Sequence, residues 1–265
     1  MKIKLGISPC PNDTFAFYHL LHSDQFNLDL TVEDVEELNQ KVLNHELDIS
    51  KVSFYTAIKV MDHYTLLNSG ATLGKNCGPL LVARVGNSVK KLEDAKIAIP
   101  GRHTTAHLLF SLYGNNQGEK VFMPFNRIMS AVKEGLVDFG VIIHEGRFTY
   151  KDYGLTELAD LGKWWEECNR IPLPLGGIVA RKEMDEKIIE EFTRALHDSI
   201  GKALNEKEDH HSPLYSFVKE HAQEMDGEVI KKHLDLYVNE YSLSLGKEGR
   251  EAIEKLRDMA KGYRL

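Results

Sequence analysis

The alternation of short β-rich runs with helical patterns is the feature that most restricts how this 265-residue chain can fold. Residues 3–7, 28–32 and 47–53 are predicted strands, and each is followed by apolar residues at helical spacing. Strand–helix–strand units of this kind form parallel sheets, because the helix carries the chain back to the start of the next strand. The first part of the sequence therefore predicts an α/β unit.

The same order of elements begins again in the middle of the chain. In both halves a short polar loop follows the first strand and leads into a helix, with Asn12, Asp13 and Thr14 as the expected helix-capping residues of the first half. A short strand is predicted at 80–83 before the expected crossing, and the second half then contributes predicted strands at 96–99, 121–125 and 138–143 and predicted helices at 104–112 and 128–134. This repetition indicates two similar α/β halves.

From Asp185 onward the chain becomes almost wholly helical, with apolar residues at helical spacing at Ile188, Phe192, Leu196 and Ile200. A helical tail behind two similar halves suggests that the chain returns to its first half. By analogy of element order, we predict a two-lobed α/β fold of the type II periplasmic-binding-protein kind, with a ligand cleft between the lobes.

The expected lobes are discontinuous in sequence. Lobe one is predicted to comprise residues 1–84 and 181–265, and lobe two residues 85–180. Polar residues around Gly86 mark the expected outward crossing, and the return is expected near Val179.

Charge and cysteine usage restrict the partners. A total of 33 Lys and Arg against 40 Asp and Glu gives a formal net charge of -7, which lacks the basic footprint of nucleic-acid or anionic-membrane binding. No apolar run approaches the roughly 18 residues that span a bilayer, and residues 1–9 lack a signal-peptide core. Cys10, Cys77 and Cys168 form no C-x-x-C pair, which favours a reducing compartment, the cytoplasm. The expected partner is a small carboxylated molecule; the oligomeric state is not predicted.

Polar segments follow four of the predicted strands. In open α/β sheets, ligands collect beyond the carboxyl ends of the strands. This edge is expected to hold residues 8–13, 51–53, 101–106 and 144–147. Their candidate substrate-binding residues are Ser8, Asn12, Asp13, Lys51, Val52, Ser53, Thr104, Thr105, Ala106 and Arg147.

The segment 101–106 has the features of an anion cradle. Gly101 permits a sharp turn, and a helix that starts at Thr104 and Thr105 leaves unpaired N–H groups beside two hydroxyls. The alternative is that both threonines only cap the helix. The similarity to the loop before Thr14 favours a site.

His144 ends an apolar strand at the expected cleft and is flanked by Glu145 and Arg147. An imidazole titrates near pH 6.5, so a histidine at this position is a candidate general base; the alternative is a structural histidine that ends the sheet. Cys10 is either a nucleophile or a small packing residue.

No metal site is predicted. His103 and His107 have the i, i+4 spacing of a zinc pair, but no glutamate lies between them as in H-E-x-x-H. Neither a Walker loop nor a dinucleotide-binding fingerprint is found, and no cofactor is predicted.

Three long motifs resemble the 1,4-dihydroxy-6-naphthoate synthase family of the futalosine route to menaquinone. They are SPCPNDTF at 8–15, PGRHTTA at 100–106 and IIHEGRFTY at 142–150. LPLGG at 173–177 and YVN at 237–239 also fit, so the resemblance spans nearly the whole chain.

The resemblance implies a lyase that cleaves cyclic dehypoxanthinyl futalosine into 1,4-dihydroxy-6-naphthoate and dihydroxyacetone. The family's catalytic base, the histidine of its His-Glu motif, corresponds to His144. Its ligand contacts correspond to residues 51–53 and to Thr105 and Ala106. Phe54 stands where a tyrosine also occurs in such proteins, a small departure that leaves the resemblance intact.

Other functions remain open on the same fold. A solute-binding protein requires export or lipidation signals, and a transcription-regulator domain would follow a DNA-binding helix-turn-helix. Neither pattern is found in this sequence. The nearest enzymatic alternative is chorismate dehydratase of the same pathway, against which the His-Glu-Gly-Arg motif and the residues 8–13 argue.

Overall fold

The computed structural model describes residues 2–86, 91–114, 118–222 and 226–262, which form two β-sheets and the helices around them. The described strands are β1 (Ile3–Ile7), β2 (Leu28–Val32), β3 (Ile49–Ser53), β4 (Tyr64–Leu66), β5 (Thr72–Gly74), β6 (Leu80–Arg84), β7 (Lys96–Ile99), β8 (Glu119–Phe122), β9 (Phe139–Ile142), β10 (Leu155–Asp160) and β11 (Leu173–Arg181). The described α-helices are α1 (Pro11–Leu21), α2 (Val35–Leu43), α3 (Phe54–Lys59), α4 (Thr105–Tyr113), α5 (Phe125–Glu134), α6 (Gly146–Thr149), α7 (Leu161–Asn169), α8 (Glu186–Asn205), α9 (Pro213–His221), α10 (Gly227–Tyr237), α11 (Glu240–Leu243) and α12 (Gly246–Lys261). Within these residues, no helix is long and apolar enough to cross a membrane.

The first sheet has the strand order β2-β1-β3-β11-β4, with β5 paired to β11. Strand β1 runs parallel to β2 and β3, so the carboxyl ends of β1 and β3 lie at one edge. Strand β11 is antiparallel to β3, and its Gly176 pairs with Ser53. Segments far apart in sequence therefore meet at this edge.

The second sheet has the order β10-β6-β9-β7-β8. Strand β7 is parallel to β8 and β9, whereas β6 is antiparallel to β9. The carboxyl end of β7 leads to α4, and the carboxyl end of β9 leads to His144. Parallel pairing thus places the start of α4 and His144 at the same edge of this sheet.

The chain changes sheet earlier than the expected crossings. Strand β6 (Leu80–Arg84) pairs with β9 and β10 in the second sheet, although residues 80–84 are predicted to belong to lobe one. Strand β11 begins at Leu173 in the first sheet, although residues 173–180 are predicted for lobe two. Both differences arise because β6 and β11 pair with strands that lie far from them in the sequence. Residues 87 and 88 of the expected outward crossing lie outside the described residues.

The helical tail packs on the first sheet. Phe192, Leu196 and Ile200 of α8 are fully buried against apolar residues of β1 and α1. The Ser199 hydroxyl donates a hydrogen bond of 2.7 Å to the carbonyl of Ala16 in α1. Apolar burial and this hydrogen bond together fix α1, whose first turn faces the edge where β1 and β3 end.

Strand predictions at 3–7, 28–32 and 96–99 are confirmed to the residue. The predicted start of α1 is wrong, because the helix begins at Pro11 with Cys10 as its N-cap. Proline suits the first helical position because its fixed φ is helical. It also lacks an N–H group at a position where such a group would have no intrahelical acceptor.

The crossing from β5 to β6 packs closely against the start of α7. The N–H of Leu161 donates to the carbonyl of Pro79 at 3.0 Å. A Cβ atom at Gly162 would lie 1.7 Å from the carbonyl oxygen of Cys77. The Cys77 carbonyl is part of the backbone, and a Cβ atom is bonded directly to the backbone of α7. Neither atom can therefore move away without its chain segment.

We expect Gly162→Ala to lower the free energy of unfolding by about 3 kcal/mol, because the added methyl group forces the crossing off α7. Urea unfolding followed by circular dichroism measures the change. The matched control is Gly201→Ala in α8, where a Cβ meets nothing within 4 Å. That change is expected to stabilise the protein by roughly 0.5–1 kcal/mol through helix propensity. Equal effects of the two substitutions would contradict the close packing at Gly162.

Candidate active site

A cavity of about 630 Å³, counted with its open mouth, lies where the carboxyl edges of the two sheets meet. All predicted site residues except Arg147 line it. The lining residues are Ser8, Asn12, Asp13, Val35, Lys51, Val52, Ser53, Thr72, Gly78, Pro79, Thr104, Thr105, Ala106, Ile143, His144, Leu175, Gly176, His233 and Tyr237.

The carboxylate of Asp13 organises the floor of the cavity. It accepts hydrogen bonds from the Ser8 hydroxyl at 2.6 Å and from the Asn12 amide at 2.7 Å. It also forms an ion pair of 2.6 Å with the Lys51 ammonium, and both side chains are more than nine-tenths buried. A short connection joins β1 to α1, which carries Asp13, and Lys51 lies in the neighbouring strand β3. The pairing of β1 with β3 therefore brings Asp13 and Lys51 together.

Lys51 directs its ammonium into the protein. Besides Asp13, the ammonium donates to the Thr72 hydroxyl at 2.8 Å and reaches the Gly70 carbonyl at 3.4 Å. An ammonium has three protons, so these acceptors satisfy it. Lys51 therefore supports the floor and offers little free positive charge to a ligand.

Ser53 ends β3 with a hydroxyl that can bind a ligand. Asn39 of α2 holds both polar groups of Ser53, accepting from its N–H at 2.9 Å and donating to its Oγ at 3.3 Å. The Ser53 hydroxyl is thus an acceptor toward Asn39. Within the described part of the chain its own proton has no acceptor, so it is available to the cavity.

The start of α4 combines a cap with free amides. Thr104 caps the helix, since its Oγ1 accepts from the His107 N–H at 3.2 Å. Thr105 and Ala106 occupy the first helical turn, where backbone N–H groups have no intrahelical acceptor, and both residues line the cavity. The two interpretations of this segment are therefore compatible, because Thr104 caps the helix while the N–H groups of the next two residues stay without an intrahelical acceptor at the cavity.

Hydrogen bonds join the two sheets at the edge of the cavity. The Thr105 hydroxyl donates to the Leu175 carbonyl at 2.8 Å, and the Thr56 hydroxyl donates to the His103 carbonyl at 2.9 Å. The His103 N–H donates to the buried carboxylate of Glu36 at 3.0 and 3.2 Å. These contacts hold the second sheet's α4 segment against the first sheet.

His144 lies two residues beyond the end of β9 and has a left-handed backbone (φ +54°), a conformation that is unusual for a residue other than glycine. Its ring nitrogens lie 3.4 and 3.6 Å from the Cys10 Sγ, and its ring meets Phe125 edge to face at 4.8 Å. The ring is surrounded by protein but keeps partial exposure to the cavity.

Burial lowers the pKa of His144 to about 4. The Asp13 carboxylate opposes this shift, and the Lys51 ammonium lowers the pKa further. The imidazole is therefore neutral at pH 7. Burial, with Glu145 and Asp13, raises the pKa of the Cys10 thiol well above its ordinary value. A protonated thiol is a poor nucleophile, so Cys10 acts as a neutral neighbour of His144.

Arg147 lies outside the cavity lining. Its guanidinium donates to the Gly78 carbonyl at 3.0 Å and forms an ion pair with Asp160. Gly78 belongs to the cavity wall, so Arg147 supports the wall from behind.

The His103 and His107 pair does not gather metal ligands. The His107 Nδ1 contacts the Arg102 carbonyl at 2.8 Å, and the His103 Nδ1 lies 3.3 Å from the Lys59 ammonium. In the described ranges, no three His, Cys, Asp or Glu side chains form a group suited to a metal ion.

Several lining residues come from positions that strand-end reasoning does not reach. Thr72 lies in β5, and Leu175 and Gly176 lie in the antiparallel strand β11. His233 and Tyr237 lie in α10, more than 80 residues after His144. The motifs at 173–177 and 237–239 are the signals that include some of them, whereas nothing but helical periodicity marks His233.

Comparison with known proteins gives one family. The family model described as menaquinone biosynthesis matches residues 3–262. The 1,4-dihydroxy-6-naphthoate synthase of Thermus thermophilus is 44% identical over 261 residues, 96% of this chain and 92% of the relative. The enzyme of the same name from Streptomyces coelicolor is 40% identical over 262 residues, covering 96% and 91%.

The fold has wider relatives. A Candida albicans protein, described as having the generic periplasmic binding protein fold, superposes with a TM-score of 0.70 at 9% identity. The match covers 100% of this chain and 92% of that protein. At that identity the likeness shows the fold alone, and it confirms the predicted two-lobed α/β class.

We expect Lys51→Met to lower the free energy of unfolding by about 3–5 kcal/mol, because it leaves the Asp13 carboxylate buried without a cation. Adding Asp13→Asn is expected to restore part of that loss. Denaturant unfolding measures both. The control is Lys2→Met, which removes an exposed ion pair of 2.8 Å with Asp29 and should change stability little. A Lys51 effect as small as the Lys2 effect would contradict the role of the buried pair.

Stability should fall with pH because of His144. Its pKa of about 4 in the folded protein lies below the ordinary 6.5 of an unfolded chain, so the unfolded state binds more protons between these values. The stabilisation is complete above pH 6.5 and is lost as the pH falls to 4, about 3 kcal/mol in all. Urea unfolding at pH 7 and 4.5 should show a smaller difference in His144→Asn than in the wild type. The control, His197→Asn at an exposed site, should leave the difference unchanged; an unchanged difference in His144→Asn would contradict the shift.

Proposed function

The chain belongs to the menaquinone biosynthesis family, and on that premise we propose that it is a 1,4-dihydroxy-6-naphthoate synthase. In this proposal it is a carbon–carbon lyase that converts cyclic dehypoxanthinyl futalosine to 1,4-dihydroxy-6-naphthoate and dihydroxyacetone. The observation that carries the proposal is the position of His144, a neutral imidazole in the same cavity as the amides that begin α4. Anion-binding donors and a base within one cavity fit a carboxylated substrate that must lose a proton.

The substrate carboxylate binds, in this proposal, at the N–H groups of Thr105 and Ala106. These amides lie at the positive end of the α4 dipole, and the apolar walls of the cavity strengthen the attraction. The Ser53 hydroxyl provides a further donor at the facing edge of the first sheet. A bound ligand therefore contacts both sheets, which favours closure of the two lobes around it.

His144 is the proposed general base. A base must be unprotonated before it acts, and the neutral imidazole meets that requirement. A pKa near 4 makes a weak base, but a ligand carboxylate bound nearby raises it, as a negative charge does for any imidazole. Proton abstraction is then followed by carbon–carbon cleavage.

Aromatisation of the product supplies the driving force of the cleavage. The proposed reaction is a proton transfer and a bond cleavage without change in net oxidation state, so it requires no redox cofactor. The protein's contribution is to orient the substrate, place the base and exclude water. Three free cysteines fit the reducing cytoplasm, where we expect the reaction to take place.

The test is to incubate the purified protein with cyclic dehypoxanthinyl futalosine and to detect the naphthoate by mass. His144→Asn should lower turnover by roughly 10²–10⁴-fold, the range for a positioned acid–base group. Affinity for the naphthoate should change far less, because the α4 amides remain. The control His197→Asn, on the exposed face of α8, should keep wild-type turnover.

Three outcomes would each contradict a part of the proposal. Turnover of chorismate in place of the futalosine derivative would assign the protein to the dehydratase reaction. Binding of the naphthoate without turnover would indicate a small-anion binding protein. Near-normal turnover in a folded His144→Asn protein would remove His144 as the base.

A further inference from the structure

His233 of α10 is a second imidazole in the cavity. Only 1% of its surface is exposed, yet it lines the cavity, and its ring lies 6.3 Å from the ring of His144, nearly parallel to it. Its Nε2 lies 2.9 Å from the Oδ1 of Asn12. Its other nitrogen, Nδ1, is buried and has no hydrogen-bond partner within the described residues.

The neighbouring groups fix which nitrogen of His233 carries the proton. The Asn12 amide nitrogen lies 2.7 Å from the Asp13 carboxylate, which only accepts, so this end of the amide must be the NH₂ group. It also lies 3.3 Å from the Thr72 hydroxyl, which suits a donor. The amide oxygen therefore faces His233, and the His233 Nε2 must donate to it.

The ring holds a single proton. Burial, together with His144 and the Lys51 ammonium, lowers the pKa of His233 well below its ordinary value, so the ring is neutral. With the proton on Nε2, Nδ1 keeps a bare lone pair. A buried acceptor without a donor is unfavourable, and a ligand group that donates to it would remove this cost.

We propose that the His233 Nδ1 accepts a hydrogen bond from a hydroxyl group of the ligand. A bare nitrogen repels a carboxylate, so the anionic end of a ligand binds elsewhere. The Lys51 ammonium, although paired, disfavours a cationic group at this wall. A neutral donor remains, and a hydroxyl is the neutral donor that the proposed substrate and both of its products carry. The inference rests on the proposed function for the identity of that ligand.

Two substitutions separate the free acceptor from the structural bond to Asn12. Glutamine places an amide N–H near the position of Nε2, so His233→Gln keeps the donor to Asn12 and loses the acceptor. Asparagine places an amide oxygen near the position of Nδ1, so His233→Asn keeps an acceptor and loses the bond to Asn12. A purely structural His233 tolerates glutamine better than asparagine in every measurement.

Calorimetric titration with 1,4-dihydroxy-6-naphthoate measures the effect. His233→Gln should weaken binding by roughly 10–100-fold with little change in melting temperature, whereas His233→Asn should weaken binding less and melt earlier. 2-Naphthoate, which has the carboxylate and no hydroxyls, should bind the wild type and His233→Gln alike. Equal weakening for both ligands, or none for either, would overturn the inference.

Nitrogen NMR of histidine-labelled protein keeps this test apart from the proposed function. Loss of a signal in His233→Gln assigns the ring, and its Nδ1 should be the unprotonated nitrogen and shift on titration with dihydroxyacetone. A protonated Nδ1, or no shift, would overturn the inference even if the wild type turns over the futalosine derivative. A wild type without naphthoate binding but with a bare, responsive Nδ1 would refute the proposed function and support the hydroxyl site.

Discussion

The buried ion pair between Lys51 and Asp13 is the interaction on which the rest of the cavity depends. Two charges out of water are tolerable only when each also has hydrogen-bond partners, and the neighbouring side chains supply them. The carboxylate orients the Ser8 hydroxyl and the Asn12 amide, and the ammonium orients Thr72. These groups are thereby fixed as one network across the β1–α1 connection, α1, β3 and β5.

The network sets the state of groups that belong to other elements. Because Asn12 must turn its NH₂ group to Asp13, its oxygen is left for His233, and the tautomer of a histidine in the tail is decided by a carboxylate at the start of α1. The same carboxylate acts on His144, a residue that follows β9 of the second sheet. It partly opposes the lowering of the His144 pKa by burial. Charged groups on the side of the first sheet therefore influence the protonation of a residue that the second sheet positions.

Much of the site is predictable from sequence because strand ends are predictable. Ser8, Thr105 and His144 follow predicted strands and Ser53 ends one, and parallel pairing brings such strand ends together. Thr72 and His233 are not predictable in this way, since their positions depend on the antiparallel return of β11 and on the packing of α10, both long-range contacts. The sheet change before β6 has the same cause: its pairing with β9 and β10 leaves no local mark in the sequence. The start of α1 depends on neighbouring residues alone. There the preference of proline for the first helical position outweighs the preference of Asn12 and Asp13 for the N-cap.

In the proposed function, the cavity must attract the substrate's anionic group by means other than the Lys51 ammonium, which is already paired. The first-turn amides of α4 do so without a net charge, and the attraction is strong only while water is excluded. The Thr105 hydrogen bond to Leu175, which holds the two sheets together at the cavity, thus supports tight binding in this proposal. A carboxylate held there would also stabilise a proton on His144, whose pKa burial lowers to about 4. In the proposed mechanism, binding and base strength are therefore coupled, because the neutral imidazole becomes a stronger base when the substrate's own charge is in place.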